Sequence, residues 1–129
     1  MAADAEPDHA ALLAARESAV DALLTAGKTA DALRRALLEP PFASKDEALK
    51  ERSAAVVQRA LVAIGSRDEA LAGFFAGADA DTADVLMKYV VKGMARHENS
   101  ALYLRMHALV IDKCGIASVV RCIVDRKTA

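Results

Sequence analysis

Apolar residues recur at helical spacing along most of the chain. Leu12, Ala15, Ala19, Val20, Leu23 and Leu24 fall on one side of a 3.6-residue period, and Gly27 supplies the left-handed stop that ends such a segment. A short second helix is predicted over Ala30 to Leu38, with Leu33 and Leu37 on one face. Pro40 and Pro41 close it, because proline lacks the amide hydrogen and disfavours helical backbone in the residue before it. Ser44 and Glu47 have the spacing of a capping box ahead of the stripe Leu49, Ser53, Val56, Ala60 and Ile64, so a third helix is expected to run to Gly65. Ser66 and Glu69 repeat that device before Leu71, Phe74 and Phe75, with Gly77 as the stop. Asp81 or Thr82 is expected to cap a fifth helix reaching Arg96, and Asn99 a sixth ending at Cys114 and Gly115. Ile116 to Asp125 forms a seventh. No stretch alternates with the period of two that a half-buried strand requires.

The pattern therefore predicts an all-α protein, a single-domain array of about seven helices in which short connections make hairpins of chain neighbours. Its expected extent is residues 10–129, behind a short acidic solvated tail over residues 1–9 that holds Asp4, Glu6 and Asp8 and neither Lys nor Arg. A length of 129 residues suits one domain, and the 54% hydrophobic content is enough to offset the entropy of ordering. Alanine, at 30 residues, reinforces the helical reading, while the varied helix lengths show no repeat of fixed period. Charge narrows the partners: 17 basic against 18 acidic residues and 4% aromatics provide neither the cationic field nor the stacking platform that nucleic acid needs. No run approaches the roughly 18 apolar residues of a membrane span, and acids stand where a secretory leader carries positive charge. Cys114 and Cys122, eight apart, match no disulfide framework and read as reduced thiols of a soluble, cytoplasmic protein.

Candidate chemistry is sparse. Residues 22–29 end in Gly27-Lys28-Thr29 and satisfy a relaxed phosphate-loop pattern, but they continue an amphipathic helix and lack the glycines whose amides would cradle a phosphate. Gly27 as a helix stop, with Thr29 capping the next helix, accounts for the same residues. His9, His97 and His107 form no pair at zinc-ligand spacing, and His107 lies in an apolar run where a structural imidazole is the simpler reading. Neither cysteine has an activating neighbour, so neither reads as a nucleophile.

The fifth predicted helix is the most informative segment. Val85, Leu86, Met87, Tyr89, Val90, Val91 and Met94 sweep about 240° of its circumference at 100° per residue, leaving Lys88 and Lys92 for the wet side. A central core helix explains this arc, with Leu86 and Val90 in mid-arc and Val91 at its edge. The alternative is that a partner protein completes that edge. The seventh segment, with Ile116, Val119, Val120, Ile123 and Val124, poses the same question. Candidate interface or core-edge residues are thus Met87, Lys88, Val91, Lys92 and Met94, with Arg121, Arg126 and Lys127 at the C-terminal end.

Three segments carry a family resemblance: GKTADALRRALLEPP over 27–41, DVLMKYVVKG over 84–93 and GIASVVRCIVDRKT over 115–128. In order and spacing they resemble subunit 5, the smallest subunit, of the actin-related protein 2/3 complex, from about Leu23 to the C-terminus. The resemblance implies a superhelix-like stack of helical hairpins and a non-catalytic structural subunit without cofactor or metal. It also implies a hetero-oligomer of the actin cytoskeleton that supports nucleation of branched filaments. Its implied neighbours are subunit 4, the β-propeller subunit 1 and, through an acidic N-terminal segment, actin-related protein 2. Met106-His107 stands where the family tends to have Trp-His, and Cys114 and Ala117 replace family glycines. The alternative of a different class is a free-standing helical adaptor that holds a partner helix in a hydrophobic groove.

Overall fold

The computed structural model describes residues 8–38, 40–42, 44–65, 67–96 and 99–124. Among them are seven helices and no strand: α1 His9–Thr25, α2 Thr29–Ala36, α3 Glu47–Ile64, α4 Asp68–Ala76, α5 Ala80–Ala95, α6 Ser100–Cys114 and α7 Ala117–Val124. The expected elements are all present, and their starts differ from expectation for local chemical reasons. Asp8 opens α1 three residues early, its carboxylate accepting from the Ala11 amide at 3.1 Å. Asp46, rather than Ser44, caps α3 by accepting from Ala48 N at 3.0 Å, while Ser44 Oγ accepts from Asp46 N and shapes the approach. Asp79 replaces Asp81 or Thr82 as the cap of α5, accepting from Thr82 N at 2.8 Å. At α3 and α5 the carboxylate directly before the first helical residue takes the cap in place of the expected residue.

Other ends close without side-chain help. Thr29 is the buried first residue of α2 and not its cap. Arg67 stands at the N-cap of α4, and Ser66 lies outside the described residues. Asn99 does precede α6, in left-handed backbone (φ 51°) that asparagine tolerates better than most residues, and its side chain makes no cap bond. Gly27 (φ 78°) and Gly115 (φ 87°) occupy the left-handed stops anticipated after α1 and α6.

Helices pack on their chain neighbours at every step but α4 to α5, and often on the next but one: α1 on α2 and α3, α2 on α3 and α4, α5 on α6 and α7. That is the arrangement of stacked helical hairpins. One continuous core runs through the stack, from Leu13 and Val20 of α1 through Leu33, Leu61 and Phe74 to Leu86, Val90, Met106 and Val110. Arginines tie neighbouring helices along the rim: Arg52 to Glu17 at 2.6 Å and Arg59 to Asp21 at 2.5 Å join α3 to α1, and Arg105 to Asp68 at 2.9 Å joins α6 to α4. Exposed pairs of this kind contribute about 0.2–1 kcal/mol each, so they set helix register more than stability.

Candidate functional site

Among the described residues one guanidinium is deeply buried, and it lies where α1, α3 and α5 meet. Arg16, 1% exposed, sits on the apolar stripe of α1 between Leu13 and Val20. It donates to the Leu38 carbonyl, and through Nη2 to Ser53 Oγ at 3.2 Å. Ser53 Oγ in turn meets Tyr89 Oη of α5 at 2.5 Å. This chain of polar groups ties the α2–α3 connection to three helices; the bonds Ser53 makes to Arg16 and Tyr89 are buried, where an unmade one would be costly, and the bond to the Leu38 carbonyl is part-buried. Burial raises the Tyr89 hydroxyl pKa above its ordinary value, opposed by the Ser53 bond and the Arg16 charge.

Around this network α5 is arranged differently from the expected arc. Leu86 and Val90 are fully buried, as anticipated for mid-arc. Met87 is also fully buried, so it belongs to the core and to no surface of the folded chain. The two lysines do not mark the wet side. Lys88 is half-buried with its ammonium 4.6 Å from the centroid of the Phe42 ring, and Lys92 folds onto Glu51 of α3 at 3.5 Å. Arg96 reaches the same carboxylate. Desolvation pushes the Glu51 pKa upward, but Arg96 and Lys92 outweigh it and hold the carboxyl below its ordinary range. Val91, beside Lys88 on the helix surface, is 42% exposed, so the core does not reach it. Long lysine stems bury well against rings and helices, and this leaves the shorter, apolar Val91 outside. Met94 is half-buried against the core.

At the C-terminal end Arg121 grips Asp84 with two bonds, Nε to Oδ2 at 2.6 Å and Nη2 to Oδ1 at 2.9 Å, clamping α7 onto α5. Arg126 and Lys127 lie outside the described residues, as does His97. Between α5, α7 and the connection holding Phe42 runs an open groove of about 510 Å³, lined by Phe42, Val85, Lys88 and Val124 and by the Arg121–Asp84 pair with Asp81. The structure thus brings Lys88 and Arg121 to one groove and places Met87, Lys92 and Met94 elsewhere. Phe42 and Asp84 were not anticipated there. A large aromatic directly after a double proline was the signal available for Phe42, because such a connection is stiff enough to hold a ring in place.

On the other side of the groove, α7 turns aliphatic residues outward. Ile116, Val120 and Val124, four apart, are 65%, 52% and 71% exposed. His107 and Cys114 are half-buried, and burial raises the Cys114 thiol above its ordinary pKa. Among the described residues no three His, Cys, Asp or Glu side chains gather where they could hold a metal ion, and no helix is long and apolar enough to cross a membrane. Gly27-Lys28-Thr29 forms the turn between α1 and α2, as the helix-stop reading requires.

These features describe a class: an all-helical stack of hairpins whose distinctive exposed features are apolar and ion-paired surfaces. Comparison with known proteins narrows it to a family. The model of the ARP2/3 complex 16 kDa subunit (p16-Arc) matches residues 2–129, and the chain belongs to that family. Among its relatives, actin-related protein 2/3 complex subunit 5 of Dictyostelium discoideum is 36% identical, over 98% of this chain and 91% of its own length. The Arabidopsis thaliana subunit 5A is 30% identical over 97% of this chain and 96% of its own length. The human subunit 5-like protein is 33% identical over 95% and 83%.

Proposed function

We propose that this chain is a non-catalytic structural subunit of the actin-related protein 2/3 complex, which holds neighbouring subunits in place and so supports nucleation of branched actin filaments. The observation that carries the reading is the family match over nearly the whole chain, joined to a fold whose surface offers apolar and ion-paired faces. On this reading the partners are subunit 4, the β-propeller subunit 1 and actin-related protein 2, and the chain works without a cofactor. A subunit of this kind acts at the actin cytoskeleton in the cytoplasm.

The experiment is reconstitution of the complex with and without the chain, followed by fluorescence-monitored actin assembly. Omission is expected to lower the yield of assembled complex and the nucleation rate together, and adding the purified chain back restores both. Unchanged assembly and nucleation in its absence would refute the structural role. The free-standing adaptor is the contrasting outcome: transient capture of a partner helix, with no stable assembly containing actin-related proteins.

A further inference from the structure

The starts of α2 and α4 meet at an open hollow of about 410 Å³, lined by Gly27, Thr29, Arg67, Asp68, Glu69 and Ala70. The first helical bond of α2 runs from Ala32 N to the Lys28 carbonyl, and that of α4 from Leu71 N to the Arg67 carbonyl. The amides of residues 29–31 and 68–70 are therefore left without a helical acceptor, and no side chain among the described residues caps either helix. Thr29 adds an independent sign of a ligand. It lines the hollow and is 5% exposed, yet its hydroxyl makes no hydrogen bond among the described residues, where a buried hydroxyl ordinarily has a partner. The charges set the sign of that ligand. Arg67 lines the hollow and Lys28 stands between two of its lining residues, and neither is in an ion pair among the described residues. Asp68 is held by Arg105 at 2.9 Å and Asp31 by Arg34 at 2.9 Å, which leaves Glu69 against two cations and the positive ends of two helix dipoles.

We propose that this hollow binds a phosphate-type oxyanion, to which the Thr29 hydroxyl and the free amides of the two helix starts donate while Arg67 supplies the countercharge. The arrangement differs from the phosphate loop weighed in the sequence, because helix α1, not a strand, leads into Gly27-Lys28-Thr29 and the amides come from two separate helices. No nucleotide chemistry is implied. A bound anion satisfies both helix ends at once and ties α2 to α4. The phosphate group arrives either as the free ion or on a side chain of a neighbouring subunit, and both present the same oxygens.

The test titrates the full isotope-labelled chain with inorganic phosphate against sodium chloride of equal ionic strength, following backbone amides by NMR. Saturable shifts are expected at residues 29–31 and 68–70, and not at the starts of α3 and α5, which their own aspartates close. Thr29→Val keeps the buried shape and should weaken binding roughly tenfold, the loss expected for one hydrogen bond to a charged group. Should valine disturb α2, Arg67→Gln at its exposed position carries the same comparison. No saturation, equal shifts at every helix start, or an affinity that neither variant changes would overturn the site. Within the assembled complex, phosphate uptake that Thr29→Val abolishes identifies the free ion, whereas no uptake with looser retention of both variants identifies a phosphorylated side chain of a neighbour. Neither effect would overturn the assignment. The titration needs only the chain itself, so its failure leaves the subunit reading untouched.

Discussion

Replacing Gly93 with alanine separates local propensity from tertiary packing with opposite signs. Gly93 lies inside α5, where glycine costs about 0.5–1 kcal/mol relative to alanine, so propensity alone makes Gly93→Ala stabilising. The packing says otherwise. An added Cβ would fall within the ring of Tyr103 on α6, overlapping three of its carbons, and that ring is buried. Forcing a methyl group into such a contact costs typically 1–3 kcal/mol through displaced side chains and backbone. The overlap involves ring atoms of a stiff side chain, so the upper part of that range applies and the net effect is a loss of about 1–2 kcal/mol. For a chain of this size that corresponds to a fall in Tm of roughly 4–8 °C. Thermal unfolding followed by circular dichroism measures it directly. The decisive control is the same substitution in a Tyr103→Ala background, where the ring is gone and the sign should reverse to a gain of about 0.5–1 kcal/mol. A rise in Tm for Gly93→Ala with Tyr103 intact would refute the close approach of α5 and α6.

Further outcomes follow from the placement of individual side chains. Val91→Glu, at a solvent-facing position, should leave the melting curve of the chain within about 0.5 kcal/mol, whereas Leu86→Ala in the core should cost about 2–5 kcal/mol. Because the Tyr89 pKa is raised in the fold, its contribution is fully present below about 10, the ordinary tyrosine value, and is lost as pH climbs through the raised value. Tyr89→Phe should therefore flatten the alkaline limb of stability while leaving the neutral region lower by about 1–3 kcal/mol, the cost of a buried hydroxyl partner removed from Ser53. Cys114, its pKa raised by burial, should alkylate more slowly at pH 8 than the same thiol in the unfolded chain, as peptide mass spectrometry can follow.

Much of this architecture was legible in the sequence because amphipathic periodicity and glycine stops act locally. Val20, Leu33, Val56 and Leu86 lie on the stripes read from the sequence, and Gly27 and Gly115 stop helices through their own backbone freedom. On α1, however, the core takes Leu13 and Arg16 where the pattern points to Leu12 and Ala15, because a core arginine in the stripe hides the true face. Caps were less legible, since Asp46 and Asp79 compete with nearby hydroxyls and acids that have equally good capping chemistry. What sequence could not supply was the partner of each polar residue across the fold. Arg16 occupies a core position of its stripe, and nothing local indicates that the Leu38 carbonyl and Ser53 will be there to receive it. Lys88 and Lys92 look like a solvated face until Phe42 and Glu51 are brought against them, and only then does Val91 become the exposed residue. The groove depends on three segments meeting, so its residues carry no common spacing.

Native mass spectrometry of an actin-related protein 2/3 complex purified through a tag on a different subunit tests the central claim most directly. The account predicts a particle containing this chain at one copy for each actin-related protein 2 and retaining it through high-salt washing. A complex complete in its other subunits yet lacking the chain, with the chain found free, would contradict it.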